Sequence, residues 1–170
     1  HANDSVLNLG FKDADVWVRF VLDRTEDAHS RWFLEIPYLG IDQIDLYTPD
    51  GVFFANGSLI PPAHRPVFSR FYAFPLQADT TPHTYYLRVK SAYPITLPIR
   101  IMDQQRFHII QDRENLIQFL YFGGLLSLLI YNLFLYLSLG DRKYLIYCLF
   151  SFFSGLAIFA GNGYGFIYLW

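Results

Sequence analysis

The sequence predicts an all-β jelly-roll or β-sandwich domain outside the cytoplasm, followed by transmembrane α-helices. Three observations predict it. Charge is concentrated in residues 1–115, which carry 11 of the 13 Lys and Arg, 14 of the 15 Asp and Glu and all five His; from Leu116 to Trp170 only Asp141, Arg142 and Lys143 are charged. The charged part is written in short runs that alternate with period two. The remainder holds two apolar runs of 24 and 17 residues, within the length that crosses a bilayer.

The strand runs begin with "VWVRFVL", in which Val16, Val18, Phe20 and Leu22 share one face and Trp17, Arg19 and Val21 the other. "RWFLEI", "QIDLYT", "VFFANG", "FSRFYAFPL", "TYYLRVK" and "ITLPIRIM" follow, rich in β-branched and aromatic residues. Turn signals separate them at Asp27, Pro49-Asp50-Gly51, Asn56-Gly57, Pro61-Pro62 and Pro82. With no helical pattern between strands, a βαβ arrangement is excluded and an antiparallel sandwich or jelly roll is expected. Pro98 removes a ladder donor, so its run is expected at a sheet edge or with a bulge. Asn56-Gly57-Ser58 matches a glycosylation sequon but reads as a turn.

Leu116 to Leu139 would span about 36 Å as a helix, more than the roughly 30 Å hydrocarbon core. Tyr144 to Ala160 is a shorter second span, ended by Gly161-Asn162-Gly163, after which "FIYLW" begins another segment. Several tyrosines sit at interface depth, whereas Tyr131, in mid-span, needs a protein partner for its hydroxyl. Gly123 with Ser127, and Cys148 with Ser151 and Gly155, form small-residue stripes for close helix packing. Asn132 is expected to face another helix. A soluble buried hairpin fits poorly, because these 55 residues offer no polar face to water.

Composition narrows the function classes. Hydrophobic residues make up 53%, aromatics 19% and charged residues only 16%, and a net charge of −2 provides no basic surface for nucleic acid. The single cysteine, Cys148, excludes an intramolecular disulfide. No nucleophile elbow, phosphate loop, HExxH or paired-cysteine motif occurs, so no catalytic, cofactor or metal site is expected. The start at His1, without Met or a basic-then-apolar leader, reads as a fragment or a processed chain.

The motif order resembles a bacterial family, the seven-transmembrane receptors with diverse intracellular signalling modules, in their type 2 extracellular domain variety. The residues that carry the likeness are "VWVRFVL", "WFLEIPYLGIDQIDLY", "NGSLIP", "YYLRVKS", "LPIRI" and "YFGGLLSLLIYNLFLYLSLGDRKYLIYCLF". The resemblance implies a periplasmic jelly-roll ligand-sensing domain over 1–102, a juxtamembrane linker over 103–115, and over 116–170 the first two helices of a seven-helix unit. It also implies a cytoplasmic output domain beyond these residues, such as a diguanylate cyclase, histidine kinase or phosphatase. The expected partners are membrane lipid, a small-molecule or carbohydrate ligand and a second copy in a homodimer. The alternative is a membrane-anchored carbohydrate-binding or adhesion module without signalling.

If one face of each strand enters the core, the other carries Trp17, Arg19, Phe33, Glu35, Tyr86 and Arg88. Aromatic faces beside Arg and Glu suit a sugar or other polar ring, since rings stack while charged groups fix orientation. The competing reading is a cross-strand ladder of Arg19, Glu35 and Arg88 that stabilises a sheet and binds nothing. His64-Arg65 in the proline-rich loop could touch a ligand or the membrane unit, or could be a plain solvent loop. His108 and Asp112, at i, i+4 spacing, lack a third metal ligand and read as an ordinary juxtamembrane pair.

The turn "LSLGDRKYLIY" joins the two spans, so the sandwich and Trp170 share one side of the membrane. Arg142 and Lys143 favour a cytoplasmic turn, Arg106 and Arg113 nearly balance them, and the charge-free residues 161–170 favour the outer side. A reporter fused at Lys143 should therefore report a cytoplasmic location, and protection from an internal protease at that turn would overturn the assignment.

Overall fold

A computed structural model of the chain describes residues 5–11, 14–23, 31–77 and 81–168. The expected turn at Asp27 lies outside the described residues, as does Trp170. The chain divides into two compact units, His1–Phe107 and His108–Trp170.

Among the described residues the first unit holds eight strands: β1 (Ser5–Gly10), β2 (Val16–Leu22), β3 (Trp32–Ile36), β4 (Gln43–Tyr47), β5 (Phe53–Asn56), β6 (Tyr72–Leu76), β7 (His83–Lys90) and β8 (Ile95–Asp103). They form two four-stranded antiparallel sheets in the orders β1-β8-β3-β6 and β2-β7-β4-β5, a β-sandwich. The pairing is nested: β4 with β5, β3 with β6, β2 with β7 and β1 with β8. The chain thus runs as one long hairpin, with β3–β8 and β4–β7 contacts completing the sheets.

Alternation decides which side chains meet between the sheets. Leu34, Ile36, Tyr72, Phe74, Ile95 and Leu97 of one sheet face Ile44, Leu46, Tyr85, Leu87 and Val89 of the other, all at 1% exposure or less. Each such side chain contributes roughly 1.5–3 kcal/mol by leaving water. Val16, Val18, Phe20 and Trp32 pack against this cluster, as their period-two positions predict. Two core tyrosines keep their hydroxyls satisfied at its margin. Tyr72 donates to the Leu39 carbonyl at 2.8 Å, and Tyr85 donates to the Gln77 carbonyl at 2.8 Å while accepting from its N–H at 3.0 Å. Burial pushes the Tyr72 phenol up to about 12.

Two strand assignments differ from the sequence reading. β1 is an additional strand, whose run "SVLNLG" has too weak an alternation to stand out. β8 is not an edge strand, since it lies between β1 and β3. Pro98 is tolerated there because the β3 pairing reaches only to Glu35 opposite Arg100, so no ladder exists at Pro98 on that side. The register shift lies instead between Asn8 and Gly10 of β1. Pro75 follows the rule directly, on the edge strand β6.

The turns behave as their residues require. Gly51 adopts φ +76° in the β4–β5 hairpin, donating to the Thr48 carbonyl at 3.1 Å. Gly57 has φ +134°, and a Cβ there would collide with the Asp42 carbonyl oxygen. Asn56 is fully buried and donates to the Ala73 carbonyl at 3.3 Å, so the sequon asparagine is a structural bridge between the sheets. Arg65 is buried too. It donates to the Ile60 and Gly57 carbonyls at 3.3 Å each and lies 5.1 Å from the Tyr72 ring centre, clamping the loop 56–66; burial lowers its pKa.

The second unit contains most of α1 (Gln104–Leu139), with α2 (Arg142–Gly161) and α3 (Tyr164–Tyr168). Residues 104–115, expected as a linker, are the first turns of α1. Gly140 ends α1 at φ +70° with its N–H on the Tyr136 carbonyl, and Asp141 caps α2 by accepting from the Lys143 N–H at 3.0 Å. Gly155, Ser151 and Cys148 of α2 face α1, where a Cβ on Gly155 would meet Leu125 Cδ2 at 2.7 Å. The stripe expected on α1 does not face α2. Gly123 is open on its Cβ side and Ser127 donates back to its carbonyl at 2.9 Å. Asn132 likewise satisfies its amide within its own helix, on the Leu128 carbonyl at 2.8 Å. At the other end of the hairpin, the Tyr164 hydroxyl donates to Asn115 Oδ1 at 2.9 Å.

Gly57→Ala should be among the most damaging single substitutions in the sandwich, because it adds a collision to a backbone that L residues avoid. A loss of about 2 kcal/mol or more in denaturant unfolding is expected; a loss under about 0.5 kcal/mol would show that the loop adjusts freely.

Candidate functional site

The outer face of the β2-β7-β4-β5 sheet is a grid laid down by strand register. One row reads Arg19, Tyr86, Tyr47, Phe53, and the next reads Trp17, Arg88, Asp45, Ala55. Beyond them Lys90 lies opposite Gln43. Neighbours within a row are about 5 Å apart, and same-face residues along a strand about 7 Å.

Aromatic rings cover part of this grid. Trp17 stacks on Tyr47 at 5.5 Å between centroids, and Tyr47 packs on Phe53 at 5.3 Å. Trp17, Phe53 and Tyr86 keep 56%, 51% and 45% of their surface exposed, so the face offers ring faces and edges to the solvent side.

Beside the rings sits a charged network centred on Arg88. Its Nε and Nη2 donate to Asp15 Oδ2 at 2.9 and 2.6 Å, and its Nη1 lies 3.6 Å from Asp45 Oδ2. The hydrogen bonds it donates to Asp15 hold the guanidinium above its ordinary pKa, and Tyr47 and Asp45 act in the same direction. Asp45 is 1% exposed, with Oδ2 accepting from Gln43 Nε2 at 2.9 Å. Its Oδ1 is buried and has no hydrogen-bond donor among the described residues. A buried acceptor without a donor is uncommon in folded proteins and marks a place where a polar group is wanted.

Next to this face is a cleft of about 320 Å³ lined by Asp15, Asp42, Gln43, Lys90 and Ser91 among others. Asp42 is occupied structurally, accepting from the Ala92 N–H at 2.7 Å. Among the described residues, no three His, Cys, Asp or Glu side chains gather as a metal ion requires.

Four of the six residues singled out in the sequence, Trp17, Arg19, Tyr86 and Arg88, are brought together on this face. Glu35 is not. It lies on β3 in the other sheet, 2% exposed, directly opposite Arg100 and 3.9 Å from it. The Arg19, Glu35, Arg88 ladder therefore does not form, because its members belong to different sheets. His64 ends a short 3-10 turn (Pro62–His64), exposed and on a different loop, while its neighbour Arg65 is buried. Sequence reasoning missed Asp15, Asp45, Tyr47 and Phe53. The alternation of "QIDLY" carries the signal for two of them, since buried Ile44 and Leu46 turn Asp45 and Tyr47 outward together.

The other sheet's outer face is used differently. Phe33 stacks on Phe107 in the first turn of α1 at 4.6 Å, and Phe107 is 2% exposed. The Gln104 N–H donates to the Arg31 carbonyl at 2.8 Å, and Asp103 Oδ1 accepts from the Arg106 N–H at 2.8 Å. β8 thus passes into α1 with no intervening loop, and the helix start is fastened to β3.

Comparison with known families agrees with this two-part layout. The family model described as 7TMR-DISM extracellular 2 matches residues 1–103, and the one described as 7TM diverse intracellular signalling matches residues 114–170. No curated protein and no solved structure matches the chain.

The network makes Arg88 the counter-ion of a buried carboxylate. Replacing it with Met should lower the melting temperature by stranding Asp45, and adding Asp45→Asn should restore most of the loss. Equal melting temperatures for the single and double variants would show that the two residues do not act together.

Proposed function

The chain belongs to the seven-transmembrane receptors with diverse intracellular signalling modules, and from that premise we propose that its sandwich binds a carbohydrate ligand on the outer face of the β2-β7-β4-β5 sheet. The protein is a membrane sensory receptor with an extracellular N-terminal domain. The observation that carries the ligand reading is the partly exposed aromatic patch of Trp17, Tyr47 and Phe53 beside Arg88, which is held between Asp15 and Asp45. Pyranose rings present C–H faces that stack on aromatic side chains, and their hydroxyls exchange hydrogen bonds with guanidinium and carboxylate groups.

The nested strand order supports naming the domain a jelly roll, and the reading treats it as a binding module with no chemistry of its own. In this proposal the domain is periplasmic, the helices sit in a bacterial inner membrane among its lipids, and Asp141 to Lys143 form a cytoplasmic turn. Ligand binding shifts α1 because the first turn of that helix belongs to the sandwich unit. The Phe33–Phe107 stack and the Asp103 cap tie it there. The shift requires the ligand to prefer one of two receptor states, and a homodimer would read it out through an output domain beyond these residues.

A glycan and small-molecule thermal-shift screen on the detergent-solubilised chain tests the binding step. A saccharide at a hundred times its Kd adds about 2.7 kcal/mol, a shift of several degrees. Trp17→Ala should abolish that shift while leaving the unliganded melting temperature near its original value, since the ring is exposed. A saccharide whose shift survives Trp17→Ala would place the site elsewhere.

A further inference from the structure

The cations on this face are not equally paired. Asp15 and Asp45 are both engaged by Arg88. Arg19 and Lys90 are exposed and have no acidic partner among the described residues. The two cations differ in their surroundings. Lys90 adjoins Asp15 and Asp42 across the cleft. Arg19 has Trp17 and Val21 beside it on its own strand and Tyr86 directly opposite, with Thr84 and Arg88 on the diagonals. No position around it on these two strands supplies an anion, and one supplies a second cation.

Asp15 and Asp45 are taken up by Arg88, so neither is bonded to Arg19. A guanidinium left in that setting, one side-chain repeat from the ring that the proposed sugar stacks on, lacks an anion that the ligand can bring. Its planar fork matches a carboxylate in two-point fashion, which an ammonium does not.

We infer that the ligand of this face is an acidic saccharide, with a uronic-acid ring on Trp17 and its carboxylate on the Arg19 guanidinium. The inference rests on the carbohydrate reading above and narrows it to one substrate class. In this arrangement Arg88, neutralised by Asp15 and Asp45, serves hydroxyl groups, and Arg19 selects for charge. The Trp17–Tyr47–Phe53 patch supports the neutral part of the chain.

Trigalacturonate and its fully methyl-esterified form share ring and linkage and differ in charge, so the pair isolates the carboxylate. Calorimetric titration of the solubilised chain should show the acid binding roughly tenfold or more tighter than the ester, with the gap shrinking as salt is raised. Arg19→Gln should remove the gap, and Arg19→Lys should retain part of it. Lys90→Gln should leave it in place. Equal affinities of acid and ester, or a gap that survives Arg19→Gln, overturns the acidic-ligand inference. If a neutral saccharide from the screen still binds through Trp17 while neither galacturonate probe does, the inference fails and the carbohydrate reading stands. If binding of every saccharide is indifferent to Trp17→Ala, both fail.

Discussion

The double pairing of β7 is the constraint on which the rest of the sandwich depends. It bonds to β2 on one side and β4 on the other, and its inward residues Tyr85, Leu87 and Val89 are fully buried between the sheets. A slip of one residue in either ladder would send Arg88 into the core and Leu87 to solvent, so the register is strongly held. The same register delivers Tyr86, Arg88 and Lys90 to the outer face and sets Trp17, Asp45 and Tyr47 beside them. Core packing and candidate site are two sides of one strand.

The two outer faces have separate uses. On the β1-β8-β3-β6 sheet, Phe33 is covered by Phe107, and Glu35 is buried against Arg100. That face is spent on holding the first turn of α1, whose N-terminus follows β8 without a loop. On the β2-β7-β4-β5 sheet the corresponding positions remain open and aromatic. The sandwich separates the open aromatic face from the face tied to the start of α1 by the thickness of its core.

Much of this was legible in the chain. Seven of the eight strands, the inward residues of β2, β3 and β7, the Pro49-Asp50-Gly51 hairpin and the two long helices follow from short-range patterns, because period two and turn chemistry act over a few residues. β1 escaped because its alternation is weak. Pro98 misled because the rule concerns a ladder that stops short of it. Gly123 and Ser127 point to a helix contact by spacing and Asn132 by its polarity in an apolar run, yet neither property says which stripe of α1 meets α2. The hydroxyl and amide found acceptors one turn back in their own helix.

For the site, the sequence by itself determined which residues leave the core: Trp17, Arg19, Tyr86 and Arg88 had to face outward once their neighbours were buried. It also determined that apolar helices follow and that a short Gly-Asp turn joins them. Only the tertiary structure decided company. It put Glu35 with Arg100 in one sheet, gave Arg88 to Asp15 and Asp45 in the other, and left Arg19 beside Trp17 without an anion among the described residues. The physical reason is range. Side-chain direction is set by the residue's own strand, whereas a charge partner is set by which strands pair, and Arg88 and Asp15 are 73 residues apart in the chain.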